Sequence, residues 1–408
     1  AQGSKGALTD GDTADLRVEM PKNAAAKYFD LYIWDGTETL KPLTKKSVLD
    51  TVNEKTYGYD NYSDSSKPLK VVYIGGSITQ QRQYTTPLTQ SLDGFFKKDN
   101  SQRTITYSVQ GLGGTNSTLG LYRLEKDVAA QEPDIVFVEF AVNDTDSTSV
   151  NRTKSMEGII RKLMKLKHQP MVILLDMTTA SYGSLDVVAD WEPLMSAYGI
   201  GYINVGQYIK DNEASAENPT GFVWKEEDLG TYPQATALTA KDGVHPTATG
   251  GKAYADYMAG LLTETPQNYF KKMTYTETPV SGYEYNNPRM TAWSGAEYDD
   301  KWEKTNDMSW TFYKGAVKAK SAGASLTYKF TGTTIGLFVP KSATGTTADY
   351  SIDNGAYTGT VSCYGNVSTD MPMMYLIKTD LPEGEHTITI TVNEAQEVNF
   401  RFGYFIVD

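Results

Sequence analysis

The sequence contains few of the residues from which disulfides and metal sites are built. Its 408 residues include one cysteine, Cys363, and three histidines. A single thiol excludes an intrachain disulfide and a metal site built on cysteine. Only three imidazoles are therefore available to act as a general base near neutral pH.

Positive charge and long apolar runs are also scarce. The chain has 38 Lys and Arg against 50 Asp and Glu, which gives a formal net charge of −12 at pH 7. A field of that sign repels nucleic acid and anionic lipid, so we expect no nucleic-acid partner. The apolar runs are too short to cross a bilayer, so we expect no membrane span.

The start of the chain is small and polar. Residues 1–25 predict a flexible segment, which we interpret as a mature N-terminus left after a signal peptide or as a remnant of cloning. The chain cannot form an intrachain disulfide, and its N-glycosylation sequons include those that start at Asn61, Asn116, Asn143 and Asn151. These features favour a bacterial protein, secreted or displayed at the cell surface, over a eukaryotic one.

The rest of the chain divides by its hydrophobic pattern. Residues 26–67 form an N-terminal extension that could pack on a β domain. Over 68–266, short apolar runs alternate with amphipathic stretches, which predicts a parallel sheet with helices on both faces. Over 267–408, strands such as "ASLTYKF" alternate apolar and polar residues between turns such as "DNG", which predicts an antiparallel β-sandwich or jelly roll.

The first part contains five predicted strands and five predicted helices. We place the strands at 70–75, 104–110, 133–140, 170–176 and 201–205. We place the helices at 85–98, 117–131, 152–168, 187–199 and 249–264. In a parallel sheet of this kind, ligands bind at the carboxyl ends of the strands.

One serine stands at the carboxyl end of the first of these strands. In "VVYIGGSITQQ" (71–81), Ser77 follows two glycines. If a helix begins there, its free N–H groups and its dipole favour negative charge beside the serine, which suits a nucleophile and a developing oxyanion. Taken alone, the commoner use of such a serine is as a helix N-cap.

A serine nucleophile needs a base, and His245 in "DGVHP" is the best candidate. Pro246 keeps it out of helical conformation. Asp242 stands three residues before it, where its carboxylate can reach one ring nitrogen and orient the imidazole. The alternative is a turn with a surface histidine. We expect His168 to be solvated at a helix end and His386 to belong to a hairpin arm.

Two further segments lie at the same edge of the predicted sheet. Asn143 in "FAVNDTD" can donate its side-chain N–H to an oxyanion, although an Asx turn is the commoner use of such a residue. The glycine-rich "GLGGTNS" (111–117) can offer backbone N–H groups, or it can be a flexible turn. Arg123 and Glu139, which flank these segments, are assigned scaffold roles.

The four segments together resemble the blocks of the SGNH hydrolases, also called the GDSL family. That family carries Ser, Gly, Asn and His in this order, here in "GGSIT", "GLGGTNS", "AVND" and "DGVHP". The resemblance covers roughly residues 68–265. It implies a flavodoxin-like three-layer α/β/α domain with a five-stranded parallel sheet, followed here by the C-terminal β-sandwich.

The resemblance also implies a role for each matched residue. Ser77 matches the nucleophile, His245 the base and Asp242 its partner. Ser77, Gly114 and Asn143 match the oxyanion-hole donors. The mechanism implied, acyl transfer through a serine ester, needs no metal and no cofactor.

The chain departs from the family pattern at two positions. Gly76 stands where the family usually has Asp, and Ala141 stands where it usually has Gly. Neither position supplies a catalytic atom, so the departures bear on subfamily and substrate.

Other residues are candidates for substrate contact. Gly113 is the neighbouring alternative to Gly114 as a donor. Trp224 lies in residues 211–241, which we predict to be a long polar loop, and is a candidate for sugar contact. Three tryptophans of the second domain are candidates for stacking on sugar rings, although core packing is the commoner use of such residues: Trp293, Trp302 and Trp310.

The resemblance and the domain order predict a carbohydrate O-acetylesterase whose partner is an acetylated carbohydrate. Two alternatives stay open. One is a lipase, lysophospholipase or thioesterase of the same family, which would carry an apolar lid or acyl channel. The other is a glycan-binding protein without catalysis, which would be expected to lack one of the matched residues.

Overall fold

The computed structural model describes residues 55–306, 315–393 and 399–408. The predicted flexible segment 1–25, most of the extension predicted over 26–67, and Trp310 lie outside the described residues. Residues Thr56–Asp408 form one compact unit. The described end of the extension lies against the α/β part, since Thr56–Tyr57 pairs with His168–Gln169 and Arg103 donates to the carbonyl of Asn61.

The first part of the described chain alternates strands and helices. Its strands are β1 (Thr56–Tyr57), β2 (Leu69–Gly75), β3 (Ile105–Gly111), β4 (Ile135–Glu139), β5 (His168–Gln169), β6 (Met171–Asp176), β7 (Gly201–Asn204), β8 (Phe222–Lys225) and β9 (Thr236–Thr239). Its helices are α1 (Gly58–Ser63), α2 (Ser77–Gln80), α3 (Thr85–Phe96), α4 (Ser117–Asp127), α5 (Ala141–Asp144), α6 (Ser149–Lys165), α7 (Ser184–Tyr198), α8 (Val205–Asp211) and α9 (Ala248–Glu264).

Five of these strands form one parallel sheet in the order β3–β2–β4–β6–β7. Alternate residues of each strand face opposite sides, so the sheet builds two cores. Tyr73 and Phe137 pack with α3 and α9 on one side, while Ile74 and Val138 pack with α4, α6 and α7 on the other. The predicted flavodoxin-like α/β/α fold is confirmed, with β4 at the centre of the sheet and β2 beside it, ending at Gly75.

The second part is antiparallel. Its strands are β10 (Arg289–Ala292), β11 (Glu297–Tyr298), β12 (Trp302–Thr305), β13 (Ala316–Ala319), β14 (Ser325–Thr331), β15 (Ile335–Lys341), β16 (Thr347–Ile352), β17 (Tyr357–Ser362), β18 (Met371–Lys378), β19 (Glu385–Val392), β20 (Arg401–Phe402) and β21 (Tyr404–Val407).

Two of its sheets enclose the core of this part. One has the order β10–β21–β15–β18 and the other β11–β14–β19–β16–β17, and a short third sheet joins β12, β13 and β20. Alternating residues such as Leu326, Ile388 and Phe405 point into the shared core. The predicted antiparallel β-sandwich is therefore confirmed.

An apolar cluster joins the sandwich to the α/β part. Leu112 lies at the start of the glycine-rich loop and Leu119 lies just after it. Both pack with Phe338 and Ile406 of the sandwich. This contact sets the β domain beside the loop after β3. The domain boundary that we propose between 266 and 267 falls just after α9 ends.

Two local expectations are wrong. The segment 211–241 is not only loop, because β8 and β9 form a parallel two-stranded ladder within it. His168 is not a solvated helix end: it lies in β5, and its Nε2 is 2.8 Å from Oδ1 of the buried Asp134. Lysines near the helix end suggested solvent, but the carboxylate comes from a residue distant in sequence.

The helices of the described residues are short relative to a bilayer. The longest that they contain, α6 and α9, each have 17 residues. No helix in this part of the chain combines the length and apolar character needed to span a membrane.

Candidate active site

Ser77 lies at the sharp turn between β2 and the short helix α2. β2 ends at Gly75 and α2 begins at Ser77, so the serine is the first residue of that helix. A Cβ at Gly76 would overlap the side chain of Asn143, which lies against this glycine. A side chain at position 76 would therefore fit only if Asn143 moved.

The structure brings His245 and Asp242 to this serine. His245 Nε2 lies 2.8 Å from Ser77 Oγ, and His245 Nδ1 lies 2.7 Å from Asp242 Oδ2. With Nδ1–H donating to the carboxylate, Nε2 is the ring nitrogen that can accept the serine proton. The His245 side chain is 33% exposed, so the pair faces solvent at the carboxyl edge of the sheet.

The tight loop before α9 holds Asp242 in place. Its Oδ1 accepts the N–H groups of Val244 and His245, each at 2.9 Å, and Gly243 between them has φ +69°. Burial raises the pKa of the Asp242 carboxyl, but the bonds from His245 and Val244 outweigh it and hold the pKa below its ordinary value. The carboxylate is therefore ionised at neutral pH, as a partner of an imidazolium must be.

The loop after β3 approaches the serine from one side. A Cβ on Gly113 would lie 3.5 Å from Ser77 Cβ, so its backbone passes close to the serine. The Gly113 N–H is already engaged, because it donates to Gln80 Oε1 at 2.6 Å. Gly114 is exposed, has φ +72°, and no hydrogen bond engages its N–H within the described chain. Of the two glycines, Gly114 has the available donor.

Asn143 approaches from the other side, on α5 directly after β4. Its side chain lies against Gly76, one residue before Ser77. No hydrogen bond engages its side-chain amide among the residues that the structure describes. Gly113, the neighbour of Gly114, and Asn143 thus both lie close to the turn that carries Ser77.

The predicted sugar contacts through tryptophan are not supported. Trp224 is 9% exposed, and its Nε1 donates to Tyr182 Oη at 3.1 Å while the two rings pack edge to face. Trp293 and Trp302 are buried in the sandwich core. These rings have no open face for a sugar because they fill the interior. Polar flanking sequence had suggested a surface position for Trp224.

One residue of the β domain borders the site, and sequence analysis did not single it out. Met371, the first residue of β18, is partly exposed and its Cε lies next to Gly114. The contact depends on how the sandwich packs against the loop after β3. Nothing in the local sequence of Met371 signals it.

Three acidic side chains are buried at the same edge of the sheet. Burial raises the pKa of Glu139 to about 7, although hydrogen bonds from Thr79 and Gly76 act in the opposite direction. Burial likewise raises the pKa of Asp144 to about 7 and that of Asp176 well above its ordinary value. This edge is therefore less negative near neutral pH than its acidic composition suggests.

No group of three or more His, Cys, Asp or Glu is placed to hold a metal ion within 55–306, 315–393 and 399–408. What the described residues offer is a hydroxyl, a base that reaches it, a carboxylate that orients the base, and N–H donors beside the hydroxyl. That set can add the serine to a carbonyl carbon and stabilise the oxyanion that forms.

Solved structures share this architecture. The chain is similar to a two-domain esterase active on acetylated mannans, co-crystallised with mannopentaose, with a TM-score of 0.66 and 20% identity over 86% of this chain and 92% of that chain. A second structure of a two-domain esterase active on acetylated mannans gives a TM-score of 0.64 and 21% identity over 83% and 91%. No protein-family model and no curated protein matches the chain.

At these identities the likeness concerns the fold. It shows that the chain shares the two-domain fold of these esterases, and the resemblance stated from the four sequence blocks agrees with that fold. The roles of individual residues have to be inferred from the chemistry of the site itself.

Proposed function

We propose that this protein is a serine esterase that removes O-acetyl groups from a polysaccharide or oligosaccharide. The observation that carries the proposal is the hydrogen-bonded series Ser77–His245–Asp242, with 2.8 Å and 2.7 Å between successive partners. It lies at the carboxyl edge of a parallel sheet, where such folds bind their ligands. We assign Ser77 as nucleophile, His245 as general base and Asp242 as its orienting partner.

In the first half of the reaction, His245 Nε2 takes the Ser77 proton as Oγ bonds to the ester carbonyl carbon. The carbonyl π electrons move to oxygen, and the N–H groups of Ser77 and Gly114 and the Asn143 amide hold that oxyanion. The tetrahedral intermediate then collapses. The bond to the sugar oxygen breaks, that oxygen takes the proton from His245, and acetyl-Ser77 remains.

In the second half, water replaces the sugar. His245 takes a proton from water as its oxygen bonds to the acetyl carbon, and the same donors hold the second oxyanion. Collapse breaks the bond to Ser77 Oγ, which recovers its proton from His245, and acetate leaves. Asp242 stays ionised throughout and stabilises the imidazolium in both halves.

Three points support an acetylated carbohydrate as the substrate. The solved structures with this two-domain fold include an esterase active on acetylated mannans, and the sandwich here brings Met371 to the rim of the site. An extended polymer needs an open site, and the His245 side chain is one-third exposed. We accordingly propose a secreted or cell-surface location, where such polymers occur.

The test is acetate release. Purified protein is assayed on p-nitrophenyl acetate, butyrate and octanoate, and then on acetylated mannan and acetylated xylan. We expect the highest kcat/KM on acetate and release of acetate from at least one polymer. Equal or better activity on octanoate would favour a lipase or thioesterase instead. Ser77→Ala should abolish turnover, and Ser91→Ala, at an exposed serine of α3, is the matched control.

A further inference from the structure

Glu139 lies directly beneath the serine turn. It is the last residue of β4, the central strand of the sheet, which pairs with β2 so that Glu139 stands opposite Gly75. The residue is 1% exposed, so its carboxyl cannot touch a substrate. A buried carboxyl is costly unless neighbouring donors satisfy it, and its donors are therefore informative.

The donors come from the serine helix. Thr79 Oγ1 donates to Glu139 Oε2 at 2.8 Å, and Tyr84 Oη lies 2.9 Å from the same threonine oxygen. Thr79 and Tyr84 are fully buried. When the Glu139 carboxyl is ionised, the Thr79 hydroxyl donates a hydrogen bond to it and the Tyr84 hydroxyl donates one to Thr79. Both hydrogen bonds then point toward Glu139.

The helix that carries Ser77 has little to hold it by itself. α2 spans only Ser77–Gln80, and no side chain caps its N-terminus. A helix of one turn is not stable without tertiary contacts. Gly76 N–H donates to the backbone oxygen of Glu139 at 3.3 Å, so Glu139 contacts this turn through its main chain as well as its side chain.

We propose that Glu139, acting through Thr79, is a positioning residue that fixes the first turn of α2 and thereby the Oγ and N–H of Ser77. The inference rests on the esterase function proposed above. Ser77 must present its Oγ to His245 and its N–H to the oxyanion at once, so a small rotation of this turn disturbs both. Arg123 supports the turn from the other face, where its Nη2 donates to the carbonyl of Gly75 at 2.9 Å.

The test exploits two buried threonines. Thr79→Val removes the hydroxyl with little change of shape, Thr79→Ser restores it, and Thr85→Val is the matched control. Thr85 is also buried, begins α3, and its Oγ1 has no hydrogen-bond partner within the described residues, so its hydroxyl should be dispensable. kcat and KM on p-nitrophenyl acetate are measured well below each Tm and normalised to the folded fraction.

We expect Thr79→Val to lower kcat about 10- to 100-fold, the scale of loss that misplaced catalytic groups produce. KM should stay within about twofold, because Thr79 does not touch the substrate. Thr79→Ser should recover kcat to within about threefold of wild type, and Thr85→Val should leave it unchanged. Equal kcat in Thr79→Val and wild type, or equal losses in Thr79→Val and Thr79→Ser, would overturn the inference.

Glu139→Gln provides a second route if Thr79→Val does not fold. The amide is a weaker acceptor than the carboxylate for the Thr79 hydroxyl, so we expect a loss of about 10-fold in kcat, and a wild-type kcat in this variant would overturn the inference. Where Thr79→Val does fold, the double variant should lose no more than the larger single loss, since both changes break one series. Additive losses would contradict the inference. An inactive wild type would instead remove the esterase proposal itself, which separates the two failures.

Discussion

Two regions of this molecule contain the same pair of groups in different settings. In the α/β part, His245 Nδ1 lies 2.7 Å from Asp242; in the β-sandwich, His386 Nδ1 lies 2.7 Å from Asp353. The difference lies at the other ring nitrogen. His245 Nε2 faces Ser77 Oγ at 2.8 Å, whereas His386 Nε2 is 2.7 Å from the backbone oxygen of Pro382.

Exposure separates the two pairs as well. The His386 side chain is 7% exposed and that of His245 is 33% exposed. His386 joins β19 to Asp353 in the turn after β16, and is therefore not on the hairpin arm that we expected, whereas His245 faces solvent beside a hydroxyl. A carboxylate beside histidine is therefore not evidence of catalysis; the group at the second nitrogen decides what the pair can do.

The largest expected effect comes from breaking the serine–histidine contact. Ser77→Ala and His245→Ala should each lower kcat/KM on p-nitrophenyl acetate by about four orders of magnitude or more, because either change removes the activated nucleophile. His386→Gln should leave kcat per folded molecule unchanged while lowering Tm. A comparable loss of activity in His386→Gln would erase the distinction between the two regions.

The next effect compares the two carboxylates. Asp242→Asn should lower kcat by about two to four orders of magnitude, since the amide no longer stabilises the imidazolium. Asp353→Asn should not change kcat. The two aspartates are well matched, because each also accepts a backbone N–H, from His245 and Thr387 respectively, at 2.9 Å. If Asp242→Asn retained full activity, its assigned role would be wrong.

A somewhat smaller effect is expected at the oxyanion side. Asn143→Ala should lower kcat by about two to three orders of magnitude, with KM nearly unchanged, because the amide acts on charge that develops in the transition state. Asn151→Ala, at an exposed position in the first turn of α6, is the control. A large rise in KM at unchanged kcat would instead make Asn143 a ground-state binding residue.

The smallest effect concerns the stability of the β domain. Burial lowers the pKa of His386, but the bonds to Pro382 and Asp353 outweigh it and raise the pKa above its ordinary value. A raised pKa stabilises the fold below the unfolded-state pKa of about 6.5, and this contribution is lost as pH rises through the folded-state pKa.

His386→Gln should therefore reduce the free energy of unfolding more at pH 5.5 than at pH 9. Urea denaturation at both pH values measures the difference. An equal loss of unfolding free energy at pH 5.5 and at pH 9 would mean that the protonated imidazole contributes nothing to folding.

Much of the fold could be predicted because its signals are local. Each of the five sheet strands is an apolar run with turns at both ends, and the helices between them are amphipathic. β8 and β9 were missed because each has four residues within a polar segment. His168 was misplaced because its partner Asp134 is distant in sequence.

The candidate site also has parts that local sequence signals predict and parts that only tertiary packing creates. Ser77 and Asn143 stand in short blocks at predicted strand ends, and Asp242 and His245 stand in the loop before the last predicted helix. The structure brings Asp242 and His245 to Ser77, so it joins residues that the sequence had already grouped. The choice of Gly114 over Gly113 depends on the side chain of Gln80, which belongs to another segment. The contacts of Glu139 with Thr79 and of Met371 with Gly114 likewise arise only from tertiary packing.

The most direct test of the account is to identify which residue an organophosphorus inhibitor of serine hydrolases modifies. Diisopropyl fluorophosphate would react with Ser77 Oγ with loss of fluoride, and mass spectrometry of the intact and digested protein locates the adduct. The account predicts one adduct, on Ser77, that forms in wild type and in His386→Gln but not in His245→Ala. An adduct on another residue, or equal labelling of His245→Ala and wild type, would contradict it.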